Sequence, residues 1–201
     1  MVSILEKIYD WYIDMSLNVK TSKCVKLNEH DNIINFMYEP SPYIQLKEIF
    51  DKYPPNENDH LIDFGCGKGR VLIMAAKYGC KNLYGIDISS CLLDVAKDNL
   101  EKCKEKNPEI KFELYCDDAK KYVFDYRINK VFFFNPFQLR VFLHIFNSLS
   151  RSLEEYPREV TVYFCGASES TIQCFEKLGK FKLIWDEKEK GIYIYVSDSD
   201  A

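Results

Sequence analysis

The chain has 201 residues, of which 47% are apolar and 15% aromatic, enough for one domain with a full hydrophobic core. Its formal net charge of −4 and isoelectric point of about 5.5 provide no overall basic field, which argues against tight nonspecific binding to nucleic acid. It has no apolar run of about 18 residues for a membrane span, and charged residues interrupt its N-terminal apolar pattern, so no secretory leader is predicted. We therefore expect a cytoplasmic protein of one domain, with or without an appended segment.

The eight cysteines and three histidines are scattered along the chain. No two cysteines form a C-x-x-C pair, and their spacing matches no zinc-site template. Several cysteines fall within predicted strands and helices, where a free thiol behaves as a small apolar side chain. We expect reduced thiols and no metal site.

The N-terminal segment contains apolar residues at helical spacing, namely Ile4, Ile8, Trp11 and Met15. This spacing predicts an amphipathic helix from about Ser3 to Leu17. The helix either packs on the domain by its apolar face or serves as a lid or a surface that selects the substrate. Residues 21–35 are polar and aperiodic, which predicts a linker or an ordered loop. We expect residues 1–37 to form a helical extension with a linker.

The stretch Tyr38-Glu39-Pro40-Ser41-Pro42-Tyr43 leads into a second predicted helix that runs to about Lys52. Two prolines one residue apart favour an extended entry into that helix. Ser41 is the expected N-cap, since proline is tolerated in the first turn that follows a cap.

Three glycines at alternate positions follow a short apolar run. Leu61 to Phe64 is typical of a buried strand and Val71 to Ala76 of a helix, so Gly65-Cys66-Gly67-Lys68-Gly69 falls in a strand-to-helix turn. Nucleotide-like ligands bind at such turns, and glycine lets the backbone approach them closely. A dinucleotide motif, G-x-G-x-x-G, would need its third glycine at the position that Arg70 occupies.

Acidic residues stand at the ends of three successive predicted strands. Asp63 lies two residues before the first glycine, and Asp87 ends the next strand, about 20 residues on, where a carboxylate can accept from ribose hydroxyls. A third strand, 110–115, leads into Cys116-Asp117-Asp118-Ala119. Each acid alone could be a helix N-cap or a solvated turn residue, but the three together favour a nucleoside pocket.

With these motifs the chain resembles the class I S-adenosylmethionine-dependent methyltransferases, whose first motif is an acid followed by alternate glycines. The resemblance implies S-adenosylmethionine as cofactor and S-adenosylhomocysteine as product. It implies that Asp63 lies near the methionine amino group and that Asp118, before the small Ala119, lies near the adenine amino group.

The segment from Tyr38 to Tyr43 also resembles one that borders the cofactor in small bacterial methyltransferases and in related lysine methyltransferases. It therefore makes Tyr38, Glu39 and Tyr43 candidates for the pocket wall. The complete predicted cofactor site is Tyr38, Tyr43, Asp63, Phe64, Gly65, Cys66, Gly67, Gly69, Asp87, Ile88, Asp117, Asp118, Ala119 and Asn135.

The strongly apolar run Lys130 to Phe134 predicts a central strand buried on both faces, and it ends in Asn135-Pro136-Phe137. The family has its catalytic loop here, and its amino-methylating members carry Asp, Asn or Ser, then two prolines and an aromatic residue. This chain lacks one proline. The resemblance implies that Asn135 and the Pro136 region orient an amine by hydrogen bonds and that an aromatic ring, of Phe137 or alternatively Phe134, faces the cationic centre. The alternative is a simple strand-ending turn.

The remaining pattern completes a Rossmann-like α/β fold. It predicts a helix over 141–153, a strand over 160–165, a helix over 170–178, and strands over 181–185 and 192–196 that are too close for a helical crossover and must pair as a hairpin. The expected architecture is a seven-stranded, mainly parallel sheet with a C-terminal antiparallel hairpin and helices on both faces. The methyltransferase domain is expected over 38–196, followed by a disordered tail over 197–201.

These observations favour an enzyme that transfers a methyl group to an amine of a protein lysine or a small molecule. Nucleic acid is not favoured as the acceptor, because no aromatic and basic stripe is visible. The alternatives are a non-catalytic protein that binds the cofactor as part of a complex, and a nicotinamide oxidoreductase, against which Arg70 and the terminal hairpin argue. The acceptor and the oligomeric state stay open at this point.

Overall fold

The computed structural model describes residues 4–22, 25–26, 37–135 and 139–197. Its helices are α1 Ile4–Leu17, α2 Tyr43–Lys52, α3 Arg70–Lys77, α4 Ser90–Lys106, α5 Leu139–Glu155 and α6 Glu169–Glu176. Its strands are β1 Val25–Lys26, β2 Met37–Tyr38, β3 His60–Phe64, β4 Asn82–Asp87, β5 Lys111–Cys116, β6 Lys130–Phe134, β7 Thr161–Cys165, β8 Phe181–Glu187 and β9 Ile192–Ser197. Short 3-10 helices cover Ala119–Lys121 and Lys188–Lys190. Within these ranges, no helix has the length and apolarity needed to cross a bilayer.

Seven strands form one sheet in the order β5-β4-β3-β6-β7-β9-β8. The five strands from β5 to β7 run parallel, and β9 pairs antiparallel with both β7 and β8. The predicted fold class is confirmed. The chain starts this sheet at β3, builds outward through β4 and β5, and then continues on the other side of β3 with β6. Ligands bind in such sheets beyond the carboxyl ends of the strands where the order reverses, so β3 and β6 mark the expected site.

The sheet lies between two apolar layers. Leu46, Phe50 and Leu72 are among the buried residues on the α2 and α3 side. Phe133 and Phe164 point to the opposite side, where they pack against α5 and α6. The ring of Phe133 also stacks on Phe64 of the neighbouring strand, with ring centroids 5.3 Å apart. Strand β6 is buried on both faces through Phe133, as its unbroken apolar run predicts.

Ser41 and Ser197 have different roles in the structure from those that the sequence predicts. Helix α2 starts at Tyr43 with Pro42 as its cap residue, so the expected cap by Ser41 is wrong. The carbonyl of Ser41 instead accepts a hydrogen bond from Arg70. At the other end of the chain, Ser197 closes β9, because its hydroxyl accepts from the backbone N–H of Val160 and donates to the carbonyl of Arg158. The rest of the expected tail, 198–201, lies outside the described residues.

Helix α1 is confirmed, but its expected packing face is wrong. The apolar residues that define the expected face are all exposed, by 57–78%: Ile4, Ile8, Trp11 and Met15. The buried residues of this helix are Asp10 and Asp14, one turn apart. Their carboxylates bind a buried arginine and its neighbours, and charge-assisted hydrogen bonds of this kind fix the rotation of the helix against the apolar preference.

Candidate active site

The glycine loop lies at the carboxyl end of β3, as the sequence predicts. Gly65, Gly67 and Gly69 have φ angles of 78°, 53° and 79°, a region that favours glycine, and α3 begins at the next residue. The backbone N–H groups of Gly65 and Cys66 donate to the carbonyl of Ile86, at 2.8 and 3.0 Å. The loop is thereby anchored to the end of β4, which carries the next predicted site residue.

The aromatic ring of Tyr38 packs against this loop at Gly67. A Cβ atom added to Gly67 would stand 2.2 Å from a carbon of the Tyr38 ring, so only glycine fits under the ring. The Lys68 ammonium lies 4.8 Å from the ring centroid, and the Tyr38 hydroxyl donates to the carbonyl of Thr21 at 3.2 Å. Burial raises the pKa of Tyr38 far above its ordinary value, which keeps the hydroxyl protonated as a donor.

Asp87 ends β4 and faces the glycine loop. Its two carboxylate oxygens accept from the backbone N–H groups of Gly67 and Ser89, both at 2.9 Å. Burial raises the pKa of Asp87, although these backbone donors act in the opposite direction. Each oxygen keeps a further lone pair, so the carboxylate can still accept from the hydroxyls of a ligand.

Asp63 is the most enclosed acid of the site, with 3% of its surface exposed. Burial raises its pKa well above the ordinary range, and the nearby charge of Asp87 raises it further. Two neighbouring buried carboxylates are stabilised by a cation, so this pair suits a ligand that carries an ammonium or a sulfonium group.

The acids after β5 are more exposed and have partners within their own turn. The Asp117 carboxylate accepts a hydrogen bond from the Lys121 ammonium at 2.9 Å. Asp118 caps the short 3-10 helix by accepting from the backbone N–H of Lys120, and it also pairs with the Lys120 ammonium at 3.0 Å. The capping role that the sequence left open is therefore present at Asp118. Ala119 is buried, whereas the apolar side chain of Ile88 is more than half exposed at the same edge of the sheet.

Asn135 follows β6 on the other side of β3. Its φ of 41° is in the left-handed region, which asparagine tolerates better than most residues. Its backbone N–H donates to the carbonyl of Cys165, the last residue of β7, at 2.9 Å, and its side chain is exposed. The other two predicted catalytic residues, Pro136 and Phe137, lie outside the described residues.

Arg70 has a role that the sequence analysis did not assign. Its side chain is 2% exposed, and its guanidinium donates to Asp10 at 2.5 Å, to Thr21 at 2.7 Å and to Ser22 at 2.8 Å. The guanidinium also lies 4.2 Å from the ring centroid of Tyr43. The position that would be glycine in a dinucleotide fold thus ties α1 and the following segment to the start of α3.

Tyr43 belongs to this Arg70 network. Its side chain is fully buried, and its hydroxyl donates to Asp14 at 2.8 Å. Asp14 in turn accepts from the backbone N–H and the hydroxyl of Thr21, at 2.7 and 2.6 Å. Tyr38 and Tyr43 therefore occupy different places, one on the glycine loop and the other beneath the Arg70 guanidinium.

Asn99 of α4 is a second residue that the sequence analysis missed. Its side-chain amide donates to the carbonyl of Lys68 in the glycine loop at 3.0 Å and accepts from the backbone N–H of Lys20 at 2.9 Å. A polar residue buried on the apolar face of a helix is the signal that points to such a role. The pair of aspartates one turn apart in α1 is the equivalent signal for Arg70.

Residues 61–156 match a family model described as a methyltransferase domain. The match covers a little under half of the chain. The matched range includes the glycine loop, the strand-end acids and Asn135, whereas α1, Tyr38 and Tyr43 precede it. The sheet extends beyond that range with β7, β8 and β9.

Two curated relatives match over a little more than a third of the chain. A candidate cobalt-precorrin-6B C(15)-methyltransferase (decarboxylating) of Methanococcus vannielii is 34% identical over 74 residues, which is 37% of this chain and 38% of that protein. A ribosomal protein L11 methyltransferase of Acetivibrio thermocellus is 37% identical over 73 residues, or 36% of this chain and 23% of that protein. The chain thus spans well under half the length of these relatives.

Solved structures match over a larger share of the chain. A candidate S-adenosyl-L-methionine-dependent methyltransferase of Methanococcus maripaludis has a TM-score of 0.57 at 14% identity, covering 79% of this chain and 85% of that one. A candidate RNA methyltransferase of Pyrococcus horikoshii has a TM-score of 0.57 at 17% identity, covering 98% of both chains. At such identities the likeness establishes the fold alone, a Rossmann-like α/β fold shared with these structures.

S-adenosylmethionine, the cofactor that the sequence predicts, is the one named for the Methanococcus maripaludis structure. The described residues fit that molecule, because it carries an ammonium, a sulfonium and two ribose hydroxyls. The enclosed pair of Asp63 and Asp87 suits the cationic groups and the hydroxyls, and the glycine loop presents backbone without side chains.

Proposed function

We propose that this chain is an S-adenosylmethionine-dependent methyltransferase whose acceptor atom is a nitrogen. The observation that carries the proposal is Asn135, an exposed amide held in the left-handed region at the end of β6. Strained backbone of this kind concentrates at functional sites, and the strand next to β6 is β3, which leads into the glycine loop. The cofactor groups and the amide thus share one edge of the sheet.

Each part of the site has a distinct task in this proposal. The Asp87 carboxylate holds ribose hydroxyls through its remaining lone pairs, and Asp63 faces the methionine ammonium. Tyr38 shields the glycine loop from water on the side of the N-terminal segment. When bound, the cofactor supplies an electrophilic methyl group on a sulfonium.

The Asn135 amide acts on the acceptor. Its oxygen can accept a hydrogen bond from an N–H of the acceptor, which turns the nitrogen lone pair toward the methyl group. An amine must be neutral to react, and an uncharged amide oxygen stabilises the unreactive ammonium form less than a carboxylate would. The exposure of this side chain leaves room for an acceptor to approach.

The class of acceptor is wider than the sequence analysis allows. The relatives include ribosomal protein L11 methyltransferases, and the structures with the same fold include a candidate RNA methyltransferase. The expectation that nucleic acid is disfavoured finds no support, because net charge describes the whole chain and not the surface beside Asn135. We place protein amines first and keep nucleic-acid and small-molecule nitrogens as outcomes of the test.

The nicotinamide oxidoreductase alternative is disfavoured by Arg70. A dinucleotide site needs a small residue there, and the structure has a buried guanidinium engaged with Asp10. The non-catalytic alternative binds the cofactor but does not turn it over, so it is separated from the proposal by activity alone.

The test is transfer of label from S-adenosylmethionine that carries a radioactive methyl group. The purified protein is incubated with an extract of source cells that lack this gene, and label is counted in protein, nucleic acid and small-molecule fractions. We expect label in one fraction, and we expect Asn135→Ala to reduce it at least tenfold, on the order of the loss when one positioned hydrogen bond is removed. Asn18→Ala is the matched control, because Asn18 is also an exposed asparagine of positive φ, 60°, at the end of α1.

Cofactor binding is measured separately by calorimetry with S-adenosylhomocysteine. Asp87→Ala should weaken binding at least tenfold, and Asn135→Ala, at the edge of the predicted cofactor site, should weaken it much less. Unchanged affinity in folded Asp87→Ala would contradict the pocket assignment. Normal cofactor binding with no labelling in any fraction would favour the non-catalytic alternative.

A further inference from the structure

Gly166 lies next to the amide oxygen of the Asn135 side chain. It follows β7, and its φ is 73°. A Cβ atom added to Gly166 would stand 2.6 Å from the amide oxygen of Asn135 and 3.3 Å from its amide carbon. Real Cβ atoms essentially never make contacts under 3.0 Å, so the 2.6 Å contact with the amide oxygen is too short for a side chain at 166. The observed position of the Asn135 amide therefore requires glycine at 166.

The end of β7 determines the backbone of Asn135 as well as its side chain. The carbonyl of Cys165, the residue before Gly166, accepts from the backbone N–H of Asn135 at 2.9 Å. This hydrogen bond continues the parallel pairing of β6 with β7, in which Phe134 is opposite Cys165. Asn135 is thus held at its main chain by Cys165, and its amide oxygen lies in the space left by the absent side chain of Gly166.

The hairpin turn supports Gly166 from its other side. Gly191 has a φ of 65°, and a Cβ atom on it would stand 2.7 Å from the carbonyl oxygen of Ala167 and 3.1 Å from the carbonyl carbon of Gly166. The backbone N–H of Ala167 donates to the carbonyl of Gly191 at 2.9 Å. The corner after β7 is therefore packed against the turn between β8 and β9 and has little freedom to move away from an added side chain.

We propose that Gly166 is a positioning residue for methyl transfer. By having no side chain, it lets the amide oxygen of Asn135 lie against the end of β7, which fixes the rotamer in which the amide is presented to an acceptor. Gly166 acts only through Asn135. The inference rests on the function proposed above, since it assigns a cause to the orientation of the amide on which that function depends.

The test compares Gly166→Ala with Gly179→Ala. Gly179 also has a positive φ, 65°, but a Cβ atom on it meets nothing within 4 Å, so this control reproduces the backbone strain without the clash. We expect a similar decrease in the urea midpoint for both variants. Label transfer from radioactive S-adenosylmethionine in the cell extract should fall at least tenfold in Gly166→Ala and less than twofold in Gly179→Ala. The affinity for S-adenosylhomocysteine should stay within twofold in both.

A crystal structure of Gly166→Ala tests the geometry without any acceptor. We expect the Asn135 amide to leave its place against β7 while the glycine loop is unchanged. The double variant Asn135→Ala with Gly166→Ala should lose no more label transfer than Asn135→Ala alone, because both changes remove the same function.

The outcomes separate this inference from the proposed function. If Asn135→Ala transfers label normally, the role of Asn135 fails, and the crystal structure still decides whether Gly166 orients the amide. If Asn135→Ala is inactive but Gly166→Ala is fully active, the inference is overturned. It is also overturned if the amide stays in place in the crystal structure, or if Gly166→Ala loses cofactor affinity together with activity.

Discussion

The glycine-loop end of the site and the Asn135 end differ in how they are held. At the first end, Arg70 is buried and donates to three side chains from the N-terminal segment, and Asn99 ties the loop carbonyl of Lys68 to that segment as well. At the second end, Asn135 is exposed and is held through its backbone and through the space that Gly166 leaves. One end is part of the core, and the other is open to solvent.

The difference indicates how stability and function are divided in this fold. A buried guanidinium with several partners is costly to disturb, so the shape of the cofactor end is tied to the stability of the whole protein. Under the proposed function the acceptor binds at the Asn135 end, where the Asn135 side chain is exposed. We therefore expect replacement of this side chain to reduce activity with little loss of stability, which is the usual division between scaffold and catalytic positions.

The largest expected effect is that of Arg70→Met. It leaves the Asp10 carboxylate buried without its guanidinium partner, and breaking a buried pair in this way costs about 3–5 kcal/mol of unfolding free energy. Urea unfolding followed by circular dichroism measures the loss. Arg127→Met is the matched control, because the Arg127–Asp125 pair is at the surface and should contribute less than about 1 kcal/mol. Equal losses of unfolding free energy in the two variants would show that the buried Arg70–Asp10 pair contributes no more than a surface pair.

The second prediction concerns pH, since the cofactor end contains two acids with raised pKa values, whereas Asn135 does not titrate. Burial raises the pKa values of Asp63 and Asp87 in the folded protein. The two acids therefore favour folding most at pH values below about 3.9, the pKa of an aspartate in the unfolded chain. That contribution is lost as pH rises through their raised pKa values. Cofactor binding has the opposite dependence, because the ammonium of the ligand attracts the ionised carboxylates.

We therefore expect the affinity for S-adenosylhomocysteine to increase with pH, by up to about tenfold per unit below the raised pKa values, with protons released on binding. Calorimetry in two buffers of different ionisation enthalpy counts these protons. Asp63→Asn should bind more weakly and lose most of the pH dependence. An affinity that is flat from about pH 5 to about pH 8 in the unchanged protein would show that the acids stay ionised without ligand.

The smallest effect on stability is expected for Asn135→Gly. Glycine adopts the observed φ of 41° without strain, so the unfolding free energy should stay the same or rise by up to about 1 kcal/mol. Label transfer should nevertheless fall as in Asn135→Ala. Asn18→Gly, at a φ of 60°, should show the same effect on stability with full activity. A clear destabilisation specific to Asn135→Gly would instead make that side chain a structural one.

The sequence by itself determined the sheet and the place of the site, because the signals for both are local. Apolar runs of strand length, helical periodicity and a hairpin connection too short for a helix lead to the observed order of elements. Alternate glycines and the acids that end β3 and β4 mark the carboxyl edge of the sheet, since the ends of parallel strands meet there. Those features need no knowledge of distant contacts.

The tertiary structure alone decided what surrounds that edge. Arg70 and Asp10 are 60 positions apart, so nothing in the local pattern of α1 shows that its aspartates face the core and its apolar residues face solvent. Gly166 follows a different strand from Asn135, and it becomes important only because β6 and β7 pair in a register that brings their ends together. Periodicity records which residues are apolar, whereas a buried charge or an absent side chain has its effect through a partner that only the folded chain supplies.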